Sequence, residues 1–249
     1  MQLAKYSASG NDFVIFHTFK KKDRSELAQK LCHRHNGIGA DGLIVLLPHA
    51  EYDFVWQFYN ADGSEAEMCG NGSRAAAHYA YHNGLAGKQM EFLTLAGVIS
   101  ASVDGDVVES LLTVPKILQN DIDEAGTNWW LIDTGVPHLV NIVDDIESFD
   151  KELARKLRNK YNANVNYAKI DDNTIYVRTY ERGVEDETLA CGTGMAASFL
   201  RAMEERRVGE RAKLLPKSGE ELAIRYSNGR LYFKGRVKKV FETAIEGVY

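Results

Sequence analysis

Two stretches decide the reading of this chain: Met68-Cys69-Gly70-Asn71-Gly72-Ser73-Arg74-Ala75-Ala76-Ala77 and Ala190-Cys191-Gly192-Thr193-Gly194-Met195-Ala196-Ala197. Each places a Cys-Gly-x-Gly turn at the start of an alanine-rich helical segment, and the cysteines lie 122 positions apart in a chain of 249 residues. Half a chain between copies implies two similar halves, each presenting one thiol at a helix start. The segments 74–81 and 195–203 are apolar nearly all round, which predicts helices buried on every side. Working outward, β-rich stretches fall at Leu3–Tyr6, Phe13–His17, Leu43–Leu47 and Asp53–Tyr59 before the first helix, which Asn83-Gly84 should close. Short strands broken by Ala96-Gly97 and Asp104-Gly105 follow it.

The second half repeats the order, with strands at Trp129–Asp133 and Leu139–Val143 and a helix at Lys151–Tyr161. Strands at Val165–Ile170 and Thr174–Tyr180 come next, then a helix from Gly192 to about Arg206 and a hairpin, Glu221–Tyr226 and Leu231–Lys234, across Asn228-Gly229. The fold class expected is α/β (α+β): two pseudo-symmetric lobes, each a mostly antiparallel curled sheet around a central buried helix. The lobes are placed at residues 1–114, carrying Cys69, and 115–239, carrying Cys191, with a last strand within 240–249 able to join the first.

The composition is that of an ordinary folded protein, 45% apolar and 26% charged. A net charge of −5 lacks the basic footprint of a nucleic-acid partner, and clusters such as Lys20-Lys21-Lys22 read as solvated surface. No apolar run of membrane-spanning or signal-peptide length occurs, so no membrane partner and a cytoplasmic location are expected. Three cysteines argue against a disulfide framework, and Cys32, within the helical Glu26–Cys32, reads as a core residue.

A free thiol is only a few per cent ionised at neutral pH, but a helix N-terminus lowers its pKa. Bare N–H groups beside each cysteine also suit a carboxylate. Two equivalent thiols, one on each face of a carbon, can strip a proton from one side and return it to the other. The chemistry indicated is racemisation or epimerisation with no imine-forming cofactor and no metal, since fixed N–H donors take up the charge that develops on the carboxylate. One Cys-Gly-x-Gly alone would read as a tight turn with a small buried residue, but two in matching contexts do not. Tyr59-Asn60 and Tyr180-Glu181 precede the two cysteines at nearly the same distance, so the repeat extends beyond the thiols.

Several segments together resemble the diaminopimelate epimerases. They are Ser9-Gly10-Asn11-Asp12-Phe13, Gly37-Ile38-Gly39-Ala40-Asp41-Gly42, Tyr59-Asn60-Ala61-Asp62-Gly63-Ser64, Met68-Cys69-Gly70-Asn71-Gly72-Ser73-Arg74, Pro137-His138, Val165-Asn166, Tyr180-Glu181-Arg182-Gly183 and Glu187-Thr188-Leu189-Ala190-Cys191-Gly192-Thr193-Gly194. The resemblance implies a cofactor-independent homodimer that interconverts LL- and meso-diaminopimelate for lysine and peptidoglycan synthesis. By it, Cys69 and Cys191 are the two bases, tuned by His138 and Glu181. The backbone of Gly70, Asn71, Gly192 and Thr193 holds the reacting carboxylate. Asn11, Asn60, Asn166, Glu181 and Arg182 contact substrate, with Arg182 suited to the distal carboxylate. The chain departs from the family pattern at Val136, where Asn often precedes Pro-His, and at Gly42, where some members carry Gln.

Other readings compete. A proline-type racemase would use paired thiols but has no distal amino acid centre for Arg182, Asn60 and Asn166 to read. A redox couple would turn over a disulfide, and a binding module would not need either thiol. Zinc is the weakest, because two distant Cys-Gly pairs lack the close ligand spacing of a structural site.

Overall fold

Each half of the chain lays down the same series of elements. The computed structural model describes residues 1–246 and divides into two units: Met1–Leu111 with the segment that begins at Gly235, and Leu112–Lys234. The first unit runs β1 (Gln2–Ala8), β2 (Asn11–His17), α1 (Ser25–Cys32), β3 (Gly42–Leu47), β4 (Phe54–Asn60), α2 (Gly70–His82), β5 (Gln89–Thr94), β6 (Gly97–Asp104) and β7 (Val107–Leu111). The second runs β8 (Lys116–Glu124), β9 (Thr127–Asp133), β10 (Pro137–Ile142), α3 (Lys151–Tyr161), β11 (Asn164–Asp171), β12 (Thr174–Glu181), the short β13 (Asp186–Thr188), α4 (Gly192–Glu204), β14 (Arg211–Pro216), β15 (Leu222–Ser227) and β16 (Arg230–Arg236). Finally β17 (Lys238–Ala244) returns to the first unit and pairs antiparallel with β1.

The pairings match strand for strand. In the first unit β1–β2 is antiparallel, β2–β3 parallel across α1, β3–β4 antiparallel and β4–β5 parallel across α2, followed by antiparallel β5–β6 and β6–β7. In the second, β9–β10, β10–β11 across α3, β11–β12, β12–β14 across α4, β14–β15 and β15–β16 repeat those senses. On the outer side, β17 lies on β1 as β8 lies on β9. The two units are therefore pseudo-symmetric α/β lobes with mixed, mostly antiparallel sheets, as the repeated motif implied.

Helix composition explains the layering. In α2 every residue from Gly70 to Ala80 is buried, and the helix touches β1, β2, β3, β6 and β7. In α4 Gly194–Ala202 is buried, and the helix touches β9, β10, β11, β12 and β14. Small alanines let a sheet curl this closely round a helix. The outer helices are amphipathic instead: α1 buries Ala28, Leu31 and Cys32 against Leu3, Val14, Phe16 and Leu43, and α3 buries Ala154 and Leu157 against Trp129, Val165 and Tyr167. Asp150 caps α3 by accepting from Glu152 N and Leu153 N, at 2.9 and 3.0 Å.

Two details differ from the sequence expectation. Helix α4 stops at Glu204, two residues short of Arg206, whose φ of 58° lies in the left-handed region and ends the helical run. Strand β8 gave no alternating signal because seven of its nine residues are exposed. Among the described residues no helix is long and apolar enough to cross a membrane.

Candidate active site

In the first unit, Cys69 is the N-cap of α2, with extended backbone (φ −146°, ψ 117°). Its Sγ accepts from Gly72 N at 3.4 Å, and its carbonyl accepts from Ser73 N and Oγ at 2.8 and 3.0 Å. The thiol thus occupies the capping position that Ser or Asp fills in other helices, where N–H donors and the helix dipole favour a negative charge. Asn71, one residue inside the helix, donates from Nδ2 to Asn11 Oδ1 at 2.8 Å. Asn11 in turn donates to Asp41 Oδ2 at 3.0 Å. The sequence-predicted Asn11, Cys69, Gly70 and Asn71 are therefore held in one cluster. Asn60, at the end of β4, is exposed and donates to Ser64 Oγ at 3.0 Å, within the turn that Gly63 makes possible at φ 86°.

Beneath that cluster Asp12 receives Lys5 at 2.8 Å and both terminal nitrogens of Arg34 at about 3 Å. Desolvation of Asp12 is the largest influence and opposes ionisation, yet the bonds from Arg34 and Lys5 together hold its carboxyl down to about 2. The third cysteine takes no part: Cys32 is buried in α1, and burial pushes its thiol up to about 12.

In the second unit Cys191 caps α4 with the same extended backbone (φ −124°, ψ 108°), and its Sγ lies 3.5 Å from Thr193 Oγ1. The Thr193 carbonyl accepts from Thr134 Oγ1 at 2.9 Å, tying this helix start to the turn after β9. Asn166, on β11, is wholly buried, with both amide hydrogens and one lone pair of its oxygen engaged. Its Nδ2 donates to His138 Nδ1 and Leu139 O, both at 3.0 Å, while its Oδ1 accepts from Thr179 Oγ1 at 2.8 Å. Asn166 is thus built into the frame under α4, and Gly194 makes room for it: a Cβ at Gly194 would stand 2.3 Å from Asn166 Oδ1.

His138 faces an amide nitrogen at each ring nitrogen: Asn166 Nδ2, whose orientation Leu139 O and Thr179 Oγ1 fix, donates to Nδ1 at 3.0 Å, and Asn164 Nδ2 lies 3.4 Å from Nε2. Complete burial is the main reason the imidazole is pushed down to about 3; the Asn166 bond opposes this and the Arg182 charge adds to it. Arg182 N donates to Asn164 Oδ1 at 2.7 Å and its Nη1 to Asn162 O at 2.9 Å, which fixes the guanidinium at the C-terminus of α3. Glu181 closes β12 opposite Asp186, and its carbonyl accepts from Glu185 N at 2.8 Å.

A buried neutral histidine has a thermodynamic consequence. Unfolded, His138 binds a proton below its ordinary value near 6.5; folded, it does not until about pH 3. Between those values the unfolded state holds more protons, so stability falls as pH falls, by about 1 kcal/mol per pH unit for this group, and none of it is lost above pH 7. Urea melts of His138→Gln should show a shallower decline from pH 6 to 4 than the parent. An equal slope would mean the ring is not held neutral.

Several contributors to these clusters were not singled out from the sequence, among them Asp41, Asn164, Thr134, Thr179 and Arg74, which donates from Nη2 to Asn71 Oδ1 at 2.5 Å. Arg74 and Asp41 lie inside the segments that carry the family resemblance, without a role assigned to either. Asn164 stands two positions before Asn166, the strand spacing that puts two side chains on one face, and was the available signal.

Comparisons with known proteins bear on the family and the fold. The family model for diaminopimelate epimerase matches residues 3–116 and 130–240. Diaminopimelate epimerase of a Nitratiruptor species is 74% identical over 250 residues, covering 100% of both chains. That of Campylobacter jejuni subsp. jejuni serotype O:23/36 (strain 81-176) is 57% identical over 243 residues, covering 97% of this chain and 98% of its own. The crystal structure of a phenazine biosynthesis PhzC/PhzF protein from Clostridium difficile (strain 630) superposes with a TM-score of 0.77 over 99% of each chain at 13% identity, a likeness of fold alone. With a matching model across both units and relatives alike from end to end, the chain belongs to the diaminopimelate epimerase family.

Proposed function

We propose that this protein inverts one α-carbon of 2,6-diaminopimelate, interconverting the LL and meso isomers without a cofactor, and that Cys69 and Cys191 are its two bases. The observation that carries the reading is the matched placement of both thiols as helix N-caps in pseudo-symmetric units. One cysteine, as thiolate, takes the α-proton, and the electron pair left on carbon delocalises into the carboxylate. The N–H groups of Gly70, Asn71, Gly192 and Thr193 stabilise the developing charge. The other cysteine, as thiol, delivers its proton to the opposite face, so each turnover exchanges the protonation states of the two sulfurs. Stereochemistry inverts and no net proton is consumed.

His138 serves this scheme in its neutral form, since burial holds the ring down to about 3 and Asn166 anchors its Nδ1. Glu181 tunes the Cys191 thiol. Asn11, Asn60 and Arg182 read the substrate's amino acid centres, and Asn166 holds His138 and the start of α4 in place. The enzyme works in the cytoplasm as a homodimer, on the route to lysine and peptidoglycan precursors. Identity of 74% along the whole chain to a curated diaminopimelate epimerase supports the activity.

The test is proton NMR of the reduced protein with LL-diaminopimelate in D₂O and no added cofactor. Loss of the α-proton signal together with formation of the meso isomer is expected. Folded, reduced protein that exchanges no α-proton overturns the reading.

A further inference from the structure

Asn11 stands between two charged groups that leave its amide only one way to face. The guanidinium of Arg74, wholly buried in the second turn of α2, can only donate, and its Nη2 bonds Asn71 Oδ1 at 2.5 Å and Ser9 Oγ at 2.8 Å. Asn71 must therefore turn its oxygen toward Arg74, which points its Nδ2 at Asn11 Oδ1 (2.8 Å) and at Ser9 O (3.4 Å). From the other end the carboxylate of Asp41 can only accept, so Asn11 must offer it Nδ2, at 3.0 Å. Asp41 is itself held by Arg34 at 2.7 Å and accepts from Asp12 N at 3.1 Å. The two ends impose the same polarity. Flipping either amide would set N–H against guanidinium or oxygen against carboxylate.

We propose that Arg74 and Asp41 are positioning residues for the reaction: from opposite ends of the Asn71–Asn11 relay they fix the edge that Asn11 presents to substrate. Once these bonds are counted, Asn11 keeps one amide hydrogen and one lone pair on Oδ1. A donor beside an acceptor matches a zwitterionic amino acid centre, with the hydrogen to the carboxylate and the lone pair to the ammonium. The turn that carries Asn11 is clamped by the same guanidinium, since Ser9 takes a left-handed φ of 48° beside Gly10 at 89° and Arg74 holds the Ser9 hydroxyl. The inference rests on the reading above that Asn11 contacts substrate.

The experiment is side-chain amide NMR of the ¹⁵N-labelled, ligand-free protein, paired with steady-state kinetics on diaminopimelate, for the parent, Arg74→Met, Arg74→Lys and Asp41→Asn. Asn11→Ala and Asn71→Ala identify the two amide signals. The parent and Arg74→Lys, which keeps a donor-only end, should give one set of Asn11 and Asn71 signals. Arg74→Met and Asp41→Asn, which release one end, should give doubled or exchange-broadened Asn11 signals. They should also raise KM about tenfold, the equivalent of one hydrogen bond, while kcat stays within about threefold, because Asn11 binds ground and transition states alike. A single unshifted Asn11 signal in both released variants overturns the proposal. If Arg74→Met does not fold, Asp41→Asn decides alone, because Asp41 lies at the surface with a side chain 38% exposed. Doubled signals with an unchanged KM also overturn it, and locate the failure in the substrate contact of Asn11, while the D₂O exchange assay reports separately on epimerisation.

Discussion

Cys69→Ser and Cys191→Ser should each slow stereoinversion by about 10²- to 10⁴-fold, the range over which a positioned acid or base contributes to catalysis. Serine keeps the shape and the capping geometry, so the fold should persist. What is lost is acidity: an alcohol does not ionise near neutral pH even at a helix N-terminus, whereas a thiol does. The two variants should differ from the parent in kind as well as rate. With one thiol left, a proton can still leave and return on the face that thiol serves. Deuterium should then enter one isomer with retention of configuration faster than the other isomer appears. Parallel measurement of isotope entry and chiral product separates the two events, and near-normal inversion in either variant would sink the two-thiol scheme.

Gly194→Ala should be the most damaging single methyl in the second unit. The added Cβ would meet Asn166 Oδ1 at 2.3 Å and Thr179 Oγ1 at 3.1 Å. Neither neighbour can yield, because Asn166 is fully buried and bonded to His138, Leu139 and Thr179. Alanine is favoured over glycine within a helix by up to about 1 kcal/mol, which offsets part of the clash. Overpacking of this severity costs about 3 kcal/mol or more, so the melting temperature should fall by roughly 10 °C. Activity should fall with it, as Asn166 is forced off the histidine. Gly72→Ala is the matched control in α2. Its Cβ would lie 3.3 Å from Cys69 Cβ and Ile44 Cδ1, contacts that small shifts relieve, and its stability should change by less than about 1 kcal/mol. Calorimetry on the pair decides the matter, and equal losses would show that the pocket around Asn166 is softer than its bonding implies.

The sequence carried the fold where local chemistry sets it. Cys69-Gly70 and Asn83-Gly84 bracket α2 at its observed ends because capping and the left-handed glycine at φ 68° act within a few residues. Helix α3 occupies Lys151–Tyr161 as read, between the Asp150 cap and Asn162 at φ 51°. Exposed β8 was illegible because a strand with little buried surface shows no alternation, and its pairing with β9 supplies the order instead. The candidate site divides the same way. Thiols at helix starts are local facts. By contrast, the engagement of Asn166 depends on His138, 28 positions earlier, and Thr179, 13 later, and the polarity of Asn11 depends on Asp41 and Arg74. Residue type identified Asn11 and Asn166 as polar and useful, but partners distant in sequence decide what each amide has left to offer.

The pairing of β17 with β1 bears on the order in which the chain can be built. Met1 and Ile245 exchange backbone hydrogen bonds across a separation of 244 residues. At about 5–20 residues per second, the ribosome delivers that partner roughly ten to fifty seconds after the first strand emerges. During this interval β1 has an uncovered edge, a template for mispairing with other chains. The second unit has no such wait, since Leu112–Lys234 is continuous. The half made first is therefore the half finished last, and nascent chains should depend on chaperone cover at β1 until synthesis has passed Ile245.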